Sequence, residues 1–193
     1  MLRTALACAA LLPFCAAAHG GTIFVSNEKD NTVTVIDSET LKVVKTIATG
    51  ARPRGMIMTP DFKKLIVCAG DDNRLDIIDT TTFELERSLD SGPDPELLDI
   101  DSKGDRIYVA NEDDGMVTVL QFADGNVLAE IPVGVEPEGM AVSQDDRITV
   151  ATSEQTSSCN SFALNRFSVA KRVGWSMSPC SAPTEKPCRF SDL

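Results

Sequence analysis

The sequence predicts an all-β fold assembled from repeated four-stranded antiparallel sheets, and three observations support this prediction. First, residues of the same type recur with a period of 42, namely Pro53, Pro95 and Pro137, Gly50, Gly92 and Gly134, and Val25, Val67 and Val109. Second, each repeat contains short, alternating segments rich in β-branched residues between turn-forming residues. Third, no window has the apolar spacing of an amphipathic helix. Four strands in a repeat of about 40 to 45 residues is the size of a β-propeller blade.

The elements of each repeat follow in a constant order. A first strand is predicted at residues 23–26, 65–68 and 106–109. Hairpin turns follow at Asp30-Asn31, Asp72-Asn73 and Asp114-Gly115, dipeptides that tolerate positive φ. Second strands are predicted at 32–37, 74–79 and 116–120, and third strands at 42–47, 83–89 and 126–133. A short fourth strand is predicted after a Gly-x-x-Pro loop, at 55–58, 97–100 and 139–142.

Residues 1–18 have the pattern of a secretory signal peptide. Arg3 is followed by an apolar segment at 5–14 and by three alanines at 16–18. The apolar segment is shorter than the roughly 20 residues that a transmembrane helix needs, so no membrane span is predicted. We expect cleavage after Ala18 and a periplasmic or secreted protein, while a buried N-terminal helix is the alternative.

The composition excludes several function classes. The chain of 193 residues carries 29 acidic against 18 basic side chains, a formal net charge of -11, and only 5% aromatic residues. Nucleic-acid binding is therefore not expected, because it depends on clustered Lys and Arg and on aromatic stacking. His19 is the single histidine, which excludes a Ser-His-Asp triad within the fold. Cys-x-x-Cys-His is absent, and we predict no cofactor, no metal and no catalytic residue.

Four segments carry a resemblance to a known family. Phe24-Val25-Ser26-Asn27, Tyr108-Val109-Ala110-Asn111, the Val-x-Val-Ile-Asp strand and the Gly-x-x-Pro-x-Gly loop resemble YVTN-type β-propeller repeats. The span to about Glu154 is also similar to the periplasmic propeller proteins associated with PQQ-dependent catabolism. This resemblance implies a seven-bladed, non-enzymatic protein whose partner is a periplasmic quinoprotein dehydrogenase or a c-type cytochrome. The wider superfamily includes the quinohaemoprotein amine dehydrogenase β-chain and the haem d1 domain of nitrite reductase.

The repeat region, residues 19–154, contains about 3.2 periods, whereas closed propellers have roughly 4 to 8 blades. Residues 155–193 lack the period and carry net +3, against -14 for residues 1–154. We interpret this tail as aberrant and poorly ordered, the result of a reading-frame change in a protein with further blades. The alternative is a genuine C-terminal extension, in which Cys180 and Cys188 would pair in an oxidising compartment.

The three Gly-x-x-Pro loops are the best candidates for a binding site. In a propeller such loops connect consecutive blades and converge near the central channel, and loops often carry function. Their framework residues repeat while their charges differ, and the candidate binding residues are Arg52, Arg54, Asp94, Glu96, Glu136 and Glu138. The alternative is that these side chains are ordinary solvated loop charges.

Two further features have structural explanations. Asp71-Asp72, Asp113-Asp114 and the segment 99–105 superficially resemble calcium ligands. All three fall on predicted turns, where Asp side chains accept hydrogen bonds from nearby backbone N–H groups, so we favour turn chemistry. Cys68 lies in a strand and is predicted to be a buried thiol.

Three functional hypotheses remain. The first is an exported, non-enzymatic binding or scaffold protein of PQQ-dependent alcohol catabolism, whose acidic surface favours a basic partner. The second is a propeller subunit of a periplasmic oxidoreductase, similar to quinoprotein amine dehydrogenase or to a haem d1 protein. The third is a fragment without function, because an open arc of blades exposes strand edges that promote aggregation.

Overall fold

The computed structural model of the chain describes residues 20–153, 159–163 and 172–173. The predicted signal peptide, His19 and the Cys180–Cys188 pair lie outside the described residues. Within the described part, no helix has the length and apolar character needed to cross a bilayer.

The described residues form four antiparallel sheets, each of which is one blade of an incomplete β-propeller. Blade 1 contains β1 (Thr22–Asn27), β2 (Thr32–Asp37) and β3 (Val43–Ala48). Blade 2 contains β4 (Pro53–Met58), β5 (Lys64–Ala69), β6 (Arg74–Asp79) and β7 (Glu84–Asp90). Blade 3 contains β8 (Pro95–Ile100), β9 (Arg106–Asn111), β10 (Met116–Gln121) and β11 (Val127–Pro132). Blade 4 contains β12 (Pro137–Val142), β13 (Ile148–Ser153), β14 (Cys159–Ala163) and β15 (Arg172–Val173).

The sequence repeat and the blade are offset by one strand. The strand that we predicted as the fourth of each repeat is the first strand of the next blade, since β4 pairs with β5 and β8 pairs with β9. It begins two residues earlier than predicted, at the proline of the Gly-x-x-Pro loop. Proline fits this first position because it has no N–H to donate to the ladder.

The two ends of the described arc depart from the regular pattern. Blade 1 has three strands among the described residues, and the position of an innermost strand beside β1 is not filled by them. In blade 4, β14 pairs with β13 and β15 pairs with β14. These two strands lie within residues 155–193, where the repeat pattern predicted none.

The core lies between the blades, because each sheet packs face to face against the next. Val33 and Val35 of blade 1 pack with Leu65 and Val67 of blade 2. The opposite face of β5, with Ile66 and Cys68, packs against blade 3, and Tyr108 of blade 3 packs with Ala151 of blade 4. Both faces of the middle blades are therefore apolar. Cys68 is buried and free, as predicted, and burial raises the pKa of its thiol.

The asparagine of the repeated strand motif has a structural role. Asn111 is fully buried, and its side-chain amide donates to Thr118 Oγ1 on the neighbouring strand at 2.6 Å. Asn27 donates to Thr34 Oγ1 at 2.8 Å in the same position of blade 1. Blade 2 has Ala69 and Asp76 in these places, and buried Asp76 instead accepts from Gly50 N at 2.6 Å.

The turns also follow the period of 42. Positive φ recurs at four positions of the repeat, which are residues 31, 73 and 115, residues 41, 83 and 125, residues 52, 94 and 136, and residues 62, 104 and 146. Among the described residues, only Gly134 has positive φ outside these positions. Asp101 Oδ1 accepts from the backbone N–H of Asp105 at 2.7 Å and of Arg106 at 3.2 Å. The predicted turn chemistry is therefore confirmed for the 99–105 segment.

Candidate functional site

Three loops of equal design lie on one end of the blades, and we call them the first loop (residues 50–55), the second loop (92–97) and the third loop (134–139). Each connects the last strand of one blade to the first strand of the next. The residue before the proline has positive φ in all three, with 56° at Arg52, 50° at Asp94 and 50° at Glu136. This conformation costs an L-residue roughly 1–2 kcal/mol. The surrounding contacts must therefore hold each loop in place.

Hairpin asparagines hold two of these loops. Asn31 Oδ1 accepts a hydrogen bond from Arg52 N at 2.9 Å, and Asn73 Oδ1 accepts one from Asp94 N at 3.0 Å. The third repeat has Gly115 in this place, with φ of 68°. A Cβ atom on Gly115 would lie 2.5 Å from the carbonyl oxygen of Gly134. The third loop thus approaches its hairpin too closely for a side chain, and it lacks the asparagine anchor.

The arginines of the first loop bind the carboxylates of the second loop. Arg52 Nη1 lies 2.5 Å from Asp94 Oδ1, and Arg52 Nη2 lies 2.7 Å from Glu96 Oε1. Arg54 Nε lies 2.6 Å from Glu96 Oε2. Four of the six predicted site residues are thus brought together across the interface of blades 2 and 3.

Sequence reasoning did not assign three more carboxylates to the two arginines, and it had explained one of them, Asp71, as part of a turn. Glu28 Oε2 lies 3.4 Å from Arg54 Nη1, Asp71 Oδ1 lies 3.7 Å from Arg52 Nη1, and Glu112 Oε2 lies 3.9 Å from Arg52 Nη2. All three belong to the hairpins that follow β1, β5 and β9. A signal was present, because Glu28 and Glu112 are two periods apart and each follows the motif asparagine.

The cluster has a net negative charge and is partly shielded from water. Five carboxylates surround two guanidinium groups, and the side chain of Glu96 is only 3% exposed. Burial raises the pKa of Glu96 to about 7, although Arg54 and Arg52 favour its ionised form, and Glu112 raises this pKa further. The hydrogen bond that Arg52 donates to Asp94 raises the pKa of Arg52, which keeps its charge.

The third loop lines an acidic cavity that shares Glu112 with the network. Glu136, with Glu112, Asp113 and Asp114 of the neighbouring hairpin, surrounds a volume of about 300 Å³. Burial raises the pKa of Asp114, and the nearby carboxylates of Glu130 and Asp113 add to this effect. Glu138 is half-buried on β12. The predicted convergence of loops therefore holds for the first two, while the third loop contributes negative charge beside them.

The same cluster contains a set of oxygen ligands. Carboxylate oxygens of Asp94, Glu96 and Glu112 lie within 4.8 Å of one another, and such oxygens suit a hard divalent cation. However, the guanidinium groups of Arg52 and Arg54 already bind Asp94 and Glu96 at 2.5 to 2.7 Å. The arrangement is that of an ion-pair network rather than of a metal centre.

Solved structures share this architecture. The chain is similar to "Kuenenia stuttgartiensis Hydrazine Synthase", with 23% identity, a TM-score of 0.67 and coverage of 73% of this chain and 42% of that chain. It is similar to "Dihydro-heme d1 dehydrogenase NirN in complex with DHE", with 15% identity, a TM-score of 0.66 and coverage of 80% and 35%. It is also similar to a putative 6-phosphogluconolactonase from Bacteroides uniformis, with 15% identity, a TM-score of 0.70 and coverage of 82% and 55%.

These likenesses establish the fold alone. The chain spans between 35% and 55% of the length of the three solved proteins. No curated protein sequence matches it. A family match adds to the fold, because residues 2–98, half of the chain, match the family described as YNCE-like beta-propeller. The period of 42, the blades and this match agree, and the chain belongs to the YNCE-like beta-propeller family.

Proposed function

We propose that this chain is an exported, non-enzymatic binding module whose loop-bearing end binds a basic protein partner. Its setting is periplasmic PQQ-dependent alcohol catabolism, and the partner is a c-type cytochrome or a quinoprotein dehydrogenase. The proposal rests on the resemblance to the propeller proteins of that metabolism and on the charge of the loop end.

One observation carries the proposal, namely the acidic cavity beside the third loop. Four carboxylates line it, from Glu112, Asp113, Asp114 and Glu136. The neighbouring ion-pair network is itself net negative, because its two arginines face five carboxylates. A surface of one sign attracts a partner of the opposite sign and accelerates the encounter, with strong dependence on salt.

The network gives this surface a fixed shape. The two arginines bind carboxylates of the second loop across blades 2 and 3, and asparagine side chains hold both loop backbones. A rigid scaffold binds at a smaller entropic cost than a flexible one, because less freedom is lost in the complex.

The experiment is a binding measurement with a basic c-type cytochrome at low and at physiological salt. We expect the affinity to fall about tenfold or more over this change, since the contact is electrostatic. The double substitution Glu136→Lys with Glu138→Lys should abolish binding. The matched control, Glu39→Lys with Glu84→Lys, changes the net charge equally at exposed positions away from these loops and should retain binding.

Two outcomes would overturn the proposal. Equal loss in both double variants would mean that only the net charge matters, and equal binding of an acidic cytochrome would mean that charge is irrelevant. Export is tested separately by locating the protein in cell fractions and by determining the N-terminal residue of the mature chain.

A second candidate function is that of an oxidoreductase subunit, and the glutamate of the network favours it. Burial raises the pKa of Glu96 to about 7, and a carboxyl group that titrates near neutrality suits general acid–base catalysis. Two of the similar structures are named as a hydrazine synthase and a dihydro-heme d1 dehydrogenase. Metal and cofactor analysis of the purified protein separates the candidates, because a stoichiometric metal or haem would favour the enzyme.

A further inference from the structure

A groove between blades 2 and 3 lies at the ends of the blades opposite the three loops. It is formed by the β4–β5 turn, the β8–β9 turn and the residue after β10. Its volume is about 470 Å³, within the range of about 300–1,000 Å³ typical of small-molecule sites. The lining residues are Thr59, Pro60, Asp61, Lys63, Lys64, Lys103, Gly104 and Phe122.

Lysines are concentrated in this groove although the protein is strongly acidic. Residues 20–153 contain six lysines, and Lys63, Lys64 and Lys103 line the groove. The neighbouring interfaces differ, because the position of Lys103 is occupied by Asp61 one period earlier and by Asp145 one period later. A lysine at this turn position therefore occurs only in blade 3 among these three repeats.

Lys103 stands at a turn position where the neighbouring repeats have an aspartate that stabilises the turn. Asp61 Oδ1 accepts from Thr59 Oγ1 at 2.7 Å and from Lys63 N at 3.1 Å, and Asp145 Oδ1 accepts from Ser143 Oγ at 2.7 Å. Lysine cannot accept such bonds. In blade 3 the turn is instead held by Asp101, which accepts from Asp105 N. The Lys103 side chain is thus not needed to form its turn.

The ammonium groups differ in how far they are already neutralised. Lys64 Nζ lies 2.9 Å from Asp79 Oδ2 and also binds Glu86, and these bonds raise its pKa. Lys63 Nζ lies 3.6 Å from Asp61 Oδ2, and the Lys63 side chain is 74% exposed. Among the described residues no carboxylate forms an ion pair with Lys103. Lys103 is thus the group most available to an added anion, while Lys63 is held loosely by Asp61 of the same groove.

Apart from Thr59 and Asp61, the remaining lining residues are apolar and closely fitted. A Cβ atom on Gly104 would lie 3.2 Å from Pro60 Cδ, so the two turns nearly touch. Phe122 packs on the core between blades 2 and 3. Its ring is held by the Arg87 guanidinium, whose carbon lies 5.1 Å from the ring centroid. The groove therefore combines an ordered aromatic wall with the ammonium group of Lys103 and the loosely paired one of Lys63.

We propose that this groove binds a small organic monoanion, an apolar ring or chain that ends in a carboxylate. The apolar body would lie against Pro60 and Phe122, and the carboxylate would bind the ammonium groups of Lys103 and Lys63. A single negative charge fits better than several, because the protein carries a net charge of -11 and repels multivalent anions. This site is independent of the partner surface formed by the loops.

The test is a titration of the full chain with phenylacetate, followed by chemical shifts of labelled backbone amides. We expect saturable shifts confined to the turns at residues 59–64 and 102–105. The neutral isostere phenylacetamide should bind about tenfold more weakly or worse, because it lacks the charge. Lys103→Glu should weaken phenylacetate binding about tenfold or more, whereas Lys29→Glu, whose side chain is 91% exposed on the β1–β2 hairpin, should not change it.

The Phe122 wall is tested with Phe122→Leu, checked for folding by circular dichroism. This variant should keep the preference for the acid over the amide while binding both more weakly. Equal affinity for phenylacetate and phenylacetamide would overturn the proposal, as would unchanged binding by Lys103→Glu. Shifts scattered over the whole surface would also overturn it, since they indicate weak contact without a site.

Discussion

The first and third loops carry opposite charges at the same position of the repeat, Arg52 and Glu136, and the second loop, which has Asp94 there, pairs with the first. Arg52 and Arg54 of the first loop bind Asp94 and Glu96 of the second loop at 2.5 to 2.7 Å. The third loop carries Glu136 at the place of Arg52 and Asp94. All three share the same glycine, proline and positive φ. The same loop backbone therefore either joins two blades through ion pairs or presents an acidic surface.

The difference teaches that the repeat determines where the loops lie, while single residues determine what they do. A buried ion pair contributes little net stability compared with apolar packing, but the loss of one partner leaves an unpaired buried charge. We therefore expect substitutions to be costly where the loops carry opposite charges and mild at the third loop.

The largest effect is expected from Arg54→Met, which removes a partner of Glu96 but keeps most of the side-chain volume. Glu96 is 3% exposed and would retain only Arg52. The free energy of unfolding, measured by urea titration at pH 9, where Glu96 of the wild-type chain is ionised, should fall by about 3 kcal/mol. The matched change Glu138→Gln at the third loop should stay within about 0.5 kcal/mol. A similar small cost for both would show that the network does not hold blades 2 and 3 together.

The second prediction concerns pH. The pKa of Glu96 is raised from 4.5 to about 7, so the folded chain binds this proton more tightly than the unfolded chain. Stability from this group is present below pH 4.5 and is lost as the pH rises through 7. Relative to Glu96→Gln, the wild-type chain should lose up to about 3 kcal/mol across this window. Thermal unfolding at several pH values measures the difference in stability between the wild-type chain and Glu96→Gln. The other titrating groups contribute equally to both chains and cancel in this difference.

The opposite pH dependence of stability would be equally informative. If the wild-type chain gains stability relative to Glu96→Gln with rising pH, the arginines outweigh burial and hold Glu96 ionised. General acid–base chemistry at Glu96 would then lose its support, and the network would be structural alone.

The period of 42 predicted the blades, the turns and the loops because each depends on local geometry. Positive φ at Asn31 and Asn73 follows from their hairpin positions, and the proline marks the first strand of a blade. The phase of the blade could not be predicted, because a period does not state which strand begins a sheet. The sheet pairing of β4 with β5 decides it.

Contacts between repeats were harder to predict. Arg52 and Arg54 were identified as site residues. Their partners depend on how neighbouring blades are placed against each other, which the sequence of a single repeat does not specify. Glu28 and Glu112 were missed because the motif was taken to end at its asparagine. Lys103 was missed because its turn position suggested ordinary surface chemistry.

The third prediction tests why the third loop lacks an asparagine anchor. Gly115→Asn installs the residue that the other hairpins have, and φ of 68° is acceptable for asparagine. Its Cβ would nevertheless lie 2.5 Å from a backbone oxygen of Gly134. We expect a loss of about 2 kcal/mol in the free energy of unfolding. In the control Gly125→Asn, φ is 75° and the nearest atom, at 3.1 Å, is a side-chain carbon of Leu89, which can move. That variant should cost less, and equal costs would show that Gly115 is not limited by space.

The smallest effect is expected from the reverse exchange, Asn73→Gly, which gives the second loop the hairpin residue of the third. Glycine keeps the positive φ of 55° but removes the acceptor of the Asp94 N–H, now 3.0 Å away. The chain should lose about 1 kcal/mol of stability, and hydrogen exchange at the Asp94 amide should accelerate. The Arg52 amide, bound to Asn31 at 2.9 Å, serves as the internal control and should be unchanged. Acceleration at both amides would mean that the two loops open as one unit through their arginines, whereas no change at Asp94 would show that the ion pairs alone hold the second loop.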